Sequence, residues 1–171
     1  MSDQAVLAKV AIEDGDPSVR KAAVERVLDQ AVLAKVAAGD QVSYVRIAAV
    51  EEATDQAVLA KAATGDGDFS VRLTAIMRVT DQAVLGGIAA NDTDPDVREA
   101  AVRCISDQTV LRKVVATDTA SAVRAAATSR LTDQESLAKL LTDDSDITVR
   151  GAALGAITDE AVFARLSTGP D

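Results

Sequence analysis

Apolar positions along this chain fall into two short helical registers separated by polar turns. In the first, Val6, Leu7, Val10 and Ala11 stand at i, i+1, i+4 and i+5, one face of a helix. In the second, Val19, Ala23 and Val27 follow at intervals of four, the stripe of another helix. Both registers then recur. The leucine of the first returns as Leu33, Leu59, Leu85, Leu111 and Leu137 and ends as Phe163. The valine of the second returns as Val45, Val71, Val97, Val123 and Val149, each followed four residues later by alanine: Ala49, Ala75, Ala101, Ala127 and Ala153. So strict an alanine column predicts close helix–helix contact. Start signals support the helices. Thr54, Thr80, Ser106, Thr132 and Thr158 each precede an Asp and are expected to be hydroxyl N-caps. Asp16-Pro17 and Asp94-Pro95 read as cap plus first-turn proline.

The period is 26 residues, marked by Asp-Gln at 3, 29, 55, 81, 107 and 133 and by Asp159-Glu160. Six repeats (3–28, 29–54, 55–80, 81–106, 107–132, 133–158) and a half repeat (159–171) follow without insertion, so residues 1–171 are expected to form one domain. Neither helix of a repeat is long enough to be stable alone in water, and each needs its neighbours. The expected architecture is all-α, a right-handed α-solenoid of six and a half two-helix repeats. A strand-based repeat is disfavoured by the absence of β-branched alternation and by the abundance of alanine. Gly86-Gly87, inside the first helix of repeat four, is a local weak spot.

Composition narrows the chemistry. Hydrophobic residues make up 48% and aromatics only 2%, so the core is built from small aliphatic side chains. A net charge of −9 argues against nucleic acid and anionic membranes as partners. One cysteine, Cys104, excludes an internal disulfide and fits a reducing compartment. No signal peptide or spanning apolar run is visible, and a cytoplasmic location is expected.

The pattern Asp-x-Asp-Pro-x-Val-Arg-x-Ala-Ala resembles HEAT-like repeats of the short, phycobilisome-lyase type, over the whole chain. Its most specific element is an Asp and an Arg six residues apart: Asp14/Arg20, Asp40/Arg46, Asp66/Arg72, Asp92/Arg98, Asp118/Arg124 and Asp144/Arg150. The resemblance implies that these pairs form a hydrogen-bonded ladder along the stack. The short period is also similar to the leucine-rich repeat variant family, which implies one helix of the 3₁₀ type per repeat. Such families serve mostly as binding scaffolds, with a minority of enzymes. An auxiliary or catalytic subunit of a lyase-like enzyme is therefore an alternative, and a structural array module that self-associates end to end is another.

No catalytic residue, metal site or cofactor is expected. With no histidine there is no imidazole base or ligand, and most carboxylates sit at repeated turn positions. The run Asp92-Thr93-Asp94-Pro95-Asp96 lacks the central glycine of a calcium loop and reads as a capped turn. The informative residues are those that break the repeat. On the second helix of repeats two and three, Tyr44, Ile47, Glu51, Phe69, Leu73 and Met77, with Arg103 in repeat four, are candidate partner-binding residues. Burial of these positions between repeats would abolish that assignment. The expected partner is another protein. Because the first helix of the N-terminal repeat carries the same apolar face as interior repeats, that face is expected either to pack against another molecule, in weak self-association, or to mark where a longer array was cut.

Overall fold

The structure is a computed structural model and describes residues 3–168. Among these residues every element is an α-helix. The first helices of successive repeats are α1 (Gln4–Glu13), α3 (Gln30–Gly39), α5 (Gln56–Gly65), α7 (Gln82–Asn91), α9 (Gln108–Thr117), α11 (Gln134–Asp143) and α13 (Glu160–Thr168). The second helices are α2 (Pro17–Val24), α4 (Ser43–Glu52), α6 (Phe69–Ile76), α8 (Pro95–Cys104), α10 (Ser121–Thr128) and α12 (Ile147–Ala156). Neither helix of a repeat is of the 3₁₀ type. Gly86 and Gly87 stay helical inside α7.

The helix starts differ from the sequence expectation. The N-cap of a first helix is the Asp, not the hydroxyl residue before it. Asp29 and Asp55 are extended, and their carboxylates accept the amide hydrogens of Ala31 and Ala57. Aspartate is as good a cap as threonine and adds a negative charge at the positive end of the helix dipole. That frees the preceding residue for the turn between repeats. Asp16 and Asp94 cap the second helices ahead of Pro17 and Pro95, as the sequence predicts.

The chain divides into two compact bodies, Met1–Val84 and Leu85–Asp171. In the N-terminal body, α2, α4 and α6 stack side by side, each forming a hairpin with its own first helix. In the C-terminal body, α8, α10 and α12 stack in the same way, and α10 and α12 form hairpins with α9 and α11. Second helices pack closely on one another, whereas first helices are more widely splayed. The alanine column explains the difference. Ala49 and Ala75 in one body, and Ala101, Ala127 and Ala153 in the other, are fully buried. A larger side chain there would push neighbouring helices apart. The Leu and Val columns fill the rest of the core, with Leu33, Leu59, Val45 and Val71 buried in the first body and Leu111, Leu137, Val123 and Val149 in the second. Each such side chain contributes about 1.5–3 kcal/mol of burial free energy. Among the described residues, the one buried polar residue, Thr128, satisfies its hydroxyl by donating to the Arg124 carbonyl at 2.8 Å.

Candidate functional site

Three features could act on other molecules: the Asp/Arg ladder, the face of the second helices, and the grooves between first helices. The ladder is tied differently from the six-residue pairing. Arg46 Nη1 donates to the backbone carbonyl of Asp40 at 2.8 Å, within its own repeat. Its fork points forward instead: Nε and Nη2 donate to the Asp66 carboxylate, twenty residues on, at 2.7 and 2.8 Å. Arg20 grips Asp40 and Arg98 grips Asp118 with the same bidentate geometry. Arg124 meets Asp144 more loosely, at 3.5 Å. Each ladder Asp also accepts from the amide two residues ahead, as Asp66 does from Asp68 at 2.9 Å. One arginine thus links the carbonyl of its own turn to the carboxylate of the next repeat's turn. Arg72, Asp92 and Arg150 complete the series: Arg72 donates to the Asp66 carbonyl, Arg98 to that of Asp92, and Arg150 to those of Asp144 and Ser145. Asp14 likewise offers its carbonyl to Arg20 and its carboxylate to the Asp16 amide.

The marker glutamine forms a second tie that the sequence pattern did not suggest. Gln56 donates to the Arg78 carbonyl and accepts from the Thr80 amide, both at the far end of its own repeat. Gln4, Gln108 and Gln134 clamp the equivalent turns. The available signal was its strict recurrence. It yields to glutamate only at Glu160, where no second helix follows among the described residues.

These ties set the electrostatics. The guanidinium of Arg20 holds the Asp40 carboxyl below the usual carboxylate range, and Arg98 does the same for Asp118. At Asp66 burial pushes upward, but hydrogen bonds from Arg46 and the Asp68 amide outweigh it and the net shift is downward. Asp146, hydrogen-bonded by Thr148, falls to about 2. The unfolded chain, with carboxyls near 3.9, therefore takes up protons before the folded one does. The ladder's contribution is fully present above that value and is lost as pH falls through the lower folded values. Urea midpoints are expected to be nearly flat from about pH 7 to 5 and to fall steeply below about pH 4. Asp40→Asn with Asp118→Asn should flatten the acid limb. An unchanged limb would contradict the assignment.

The residues that break the repeat lie on adjacent, mutually packed helices. On α4, Tyr44 is exposed, Ile47 is half-buried and Glu51 is exposed. On α6 and its C-cap, Phe69 is exposed, Leu73 is half-buried and Met77 is 70% exposed. None of the six is buried, and five are apolar or aromatic. Lys21 and Glu25, an ion pair on neighbouring α2, add charge on the side of Tyr44 and Glu51. Arg103 belongs to the other body, where it pairs with Glu99 one turn back. Cys104 is half-buried.

The splayed first helices leave open grooves. One of about 540 Å³ lies between α3 and α5, lined by Ala34, Ala38, Val58 and Lys61 with Arg46 and Asp66. One of about 660 Å³ in the C-terminal body is lined by Arg112, Val115, Leu140, Asp143 and the Arg124–Asp144 pair. In both, the ladder ion pair forms part of the wall. Among the described residues no group of three His, Cys, Asp or Glu could hold a metal ion, and no helix is long and apolar enough to cross a membrane. Compared with known proteins, the chain matches no family model, no curated protein and no solved structure.

Proposed function

We propose that this chain is a non-catalytic protein-binding scaffold and that the second-helix face of repeats two and three is its recognition surface. The observation that carries this reading is the exposure of Met77, Phe69 and Tyr44 on two packed helices, in a protein with only three aromatic residues. Aromatic and methionine side chains gain most when a partner covers them, and clustered exposure of this kind marks interaction surfaces. Ile47 and Leu73 supply a half-buried floor, and Lys21 and Glu51 a charged rim. The ladder supports the same role by holding successive turns in register, so the surface is organised before binding. The resemblance to HEAT-like repeats points the same way. A single thiol, Cys104, suits a reducing, cytoplasmic setting.

The test is site-specific photocrosslinking in the native cell. A photoreactive side chain at position 77 should capture a defined protein, and the same probe at Lys35 on α3 should not. Phe69→Asp should abolish capture while leaving the helical circular dichroism unchanged. Equal capture from positions 77 and 35, or capture that survives Phe69→Asp, would defeat the proposal.

A further inference from the structure

The groove between α9 and α11 departs from its counterpart between α3 and α5 at the positions that line it. Arg112 stands where the α3–α5 groove has Ala34, and Ser136 where it has Val58. Val115 and Leu140 stand where it has Ala37 and Ala62. The first two are breaks in the whole repeat. Every other first helix carries Ala or Gly at the place of Arg112 and Val at the place of Ser136. Helices α9 and α11 also pack less closely together than α3 and α5 do.

The ladder rung beneath differs too. In the α3–α5 groove the Arg46 fork closes on Asp66 with two short bonds. In the α9–α11 groove Arg124 reaches Asp144 only through Nη2, at 3.5 Å, and among the described residues its Nε has no acceptor. The charges of this groove otherwise match in pairs. Arg98 grips Asp118, Arg124 faces Asp144, and Asp143 follows Lys139 by one helical turn. Arg112 is left over. Its guanidinium reaches only the Thr109 hydroxyl of its own helix, at 3.4 Å. The Asp133 carboxyl, held below its usual range first by the Ser136 hydroxyl and only last by Arg112, does not line the groove.

We propose that the groove between α9 and α11 binds a carboxylate carried on an aliphatic chain. The carboxylate takes the open Nε edge of Arg124, beside Asp144, and Arg112 supplies the second cation that two adjacent carboxylates require. Val115, Leu131 and Leu140 receive the chain. A groove of about 660 Å³ with apolar walls and a few convergent polar groups has the size and lining of a small-ligand site. The α3–α5 groove lacks both requirements, because its fork is filled and alanine stands in place of the extra cation. The site lies on the first helices and does not depend on the second-helix recognition surface.

NMR titration of the isotope-labelled full chain with hexanoate tests this. Backbone amides of Val115, Ala116 and Leu140 should shift and saturate at about millimolar hexanoate, while those of Ala34, Ala38 and Val58 stay in place. Hexylamine, of equal length and opposite charge, should give no saturable shift. Arg112→Ala restores the alanine of the other repeats at an exposed position, so the fold should persist while hexanoate binding weakens about tenfold. Ser136→Val should weaken it as well, by narrowing the groove. Lys113→Ala, at an exposed cation outside the lining, should leave it unchanged. A Leu-Glu dipeptide with both termini blocked distinguishes the source. Tighter binding of hexanoate supports the proposal with a free acid as occupant, and tighter binding of the dipeptide supports it with an acidic protein segment. No saturable shift with either probe, equal shifts with hexylamine, or unchanged affinity in Arg112→Ala would overturn the proposal.

Discussion

Val71→Asp is expected to unfold the N-terminal body, whereas Val19→Asp leaves it folded. The two residues occupy the same column, each the third residue of its second helix, and each is followed by Arg. Helix propensity hardly distinguishes valine from aspartate, and a carboxylate this near a helix N-terminus is favoured by the dipole. Only the cover differs. Val71 is fully buried beneath its neighbours, and a carboxylate there has no cation or donor supplied for it. An unpaired buried charge costs several kcal/mol, comparable with the roughly 5–15 kcal/mol that holds a typical domain together. Val19 stays partly in water, so its replacement should cost less than about 1 kcal/mol. Thermal unfolding followed by circular dichroism checks the pair. Equal losses at both positions would mean that burial in this column does not come from stacking.

Asp66→Ala is expected to cost about 3 kcal/mol, because it strips the partner from a shielded guanidinium and leaves the Asp68 amide without its acceptor. Side-chain exposures of 15% for Arg46 and 7% for Asp66 place this pair far from the screened surface regime. Asp66→Asn keeps an acceptor for the amide but loses the charge, so it should recover part of the loss. Glu25→Ala, which breaks the exposed pair with Lys21, should barely move the urea midpoint. Similar effects of Asp66→Ala and Glu25→Ala would show that the ladder is ornamental.

Helices, repeat boundaries and core columns were legible in the sequence because each depends on local spacing repeated many times. Val71, Ala75 and Leu59 are buried where their columns predict. The ladder partner was not legible from spacing. Arg72 lies six residues after Asp66 and does bond it, but through the backbone carbonyl, while the carboxylate turns to Arg46. Linear spacing identifies residues that meet across one turn and says little about which repeat a long arginine side chain reaches. The helix starts were misassigned for a related reason. A hydroxyl residue next to Asp offers two caps, and the choice depends on Gln30, whose side chain claims the Thr54 amide for the turn. The candidate surface was partly legible. Breaks in the repeat located Tyr44, Phe69 and Met77, but only packing shows that Ile47 and Leu73 are half-covered.

A double-mutant cycle on Arg46 tests the central structural claim, that within each body successive repeats are fastened through an arginine fork. Arg46→Ala, Asp66→Ala and the double variant give one coupling energy from urea unfolding, and Arg46→Ala with Asp40→Ala gives another. The forward pair should couple by about 1–3 kcal/mol. The pair six residues apart, whose side chains form no ion pair with each other, should couple by only a few tenths of a kcal/mol. Strong coupling to Asp40 with none to Asp66 would contradict the account.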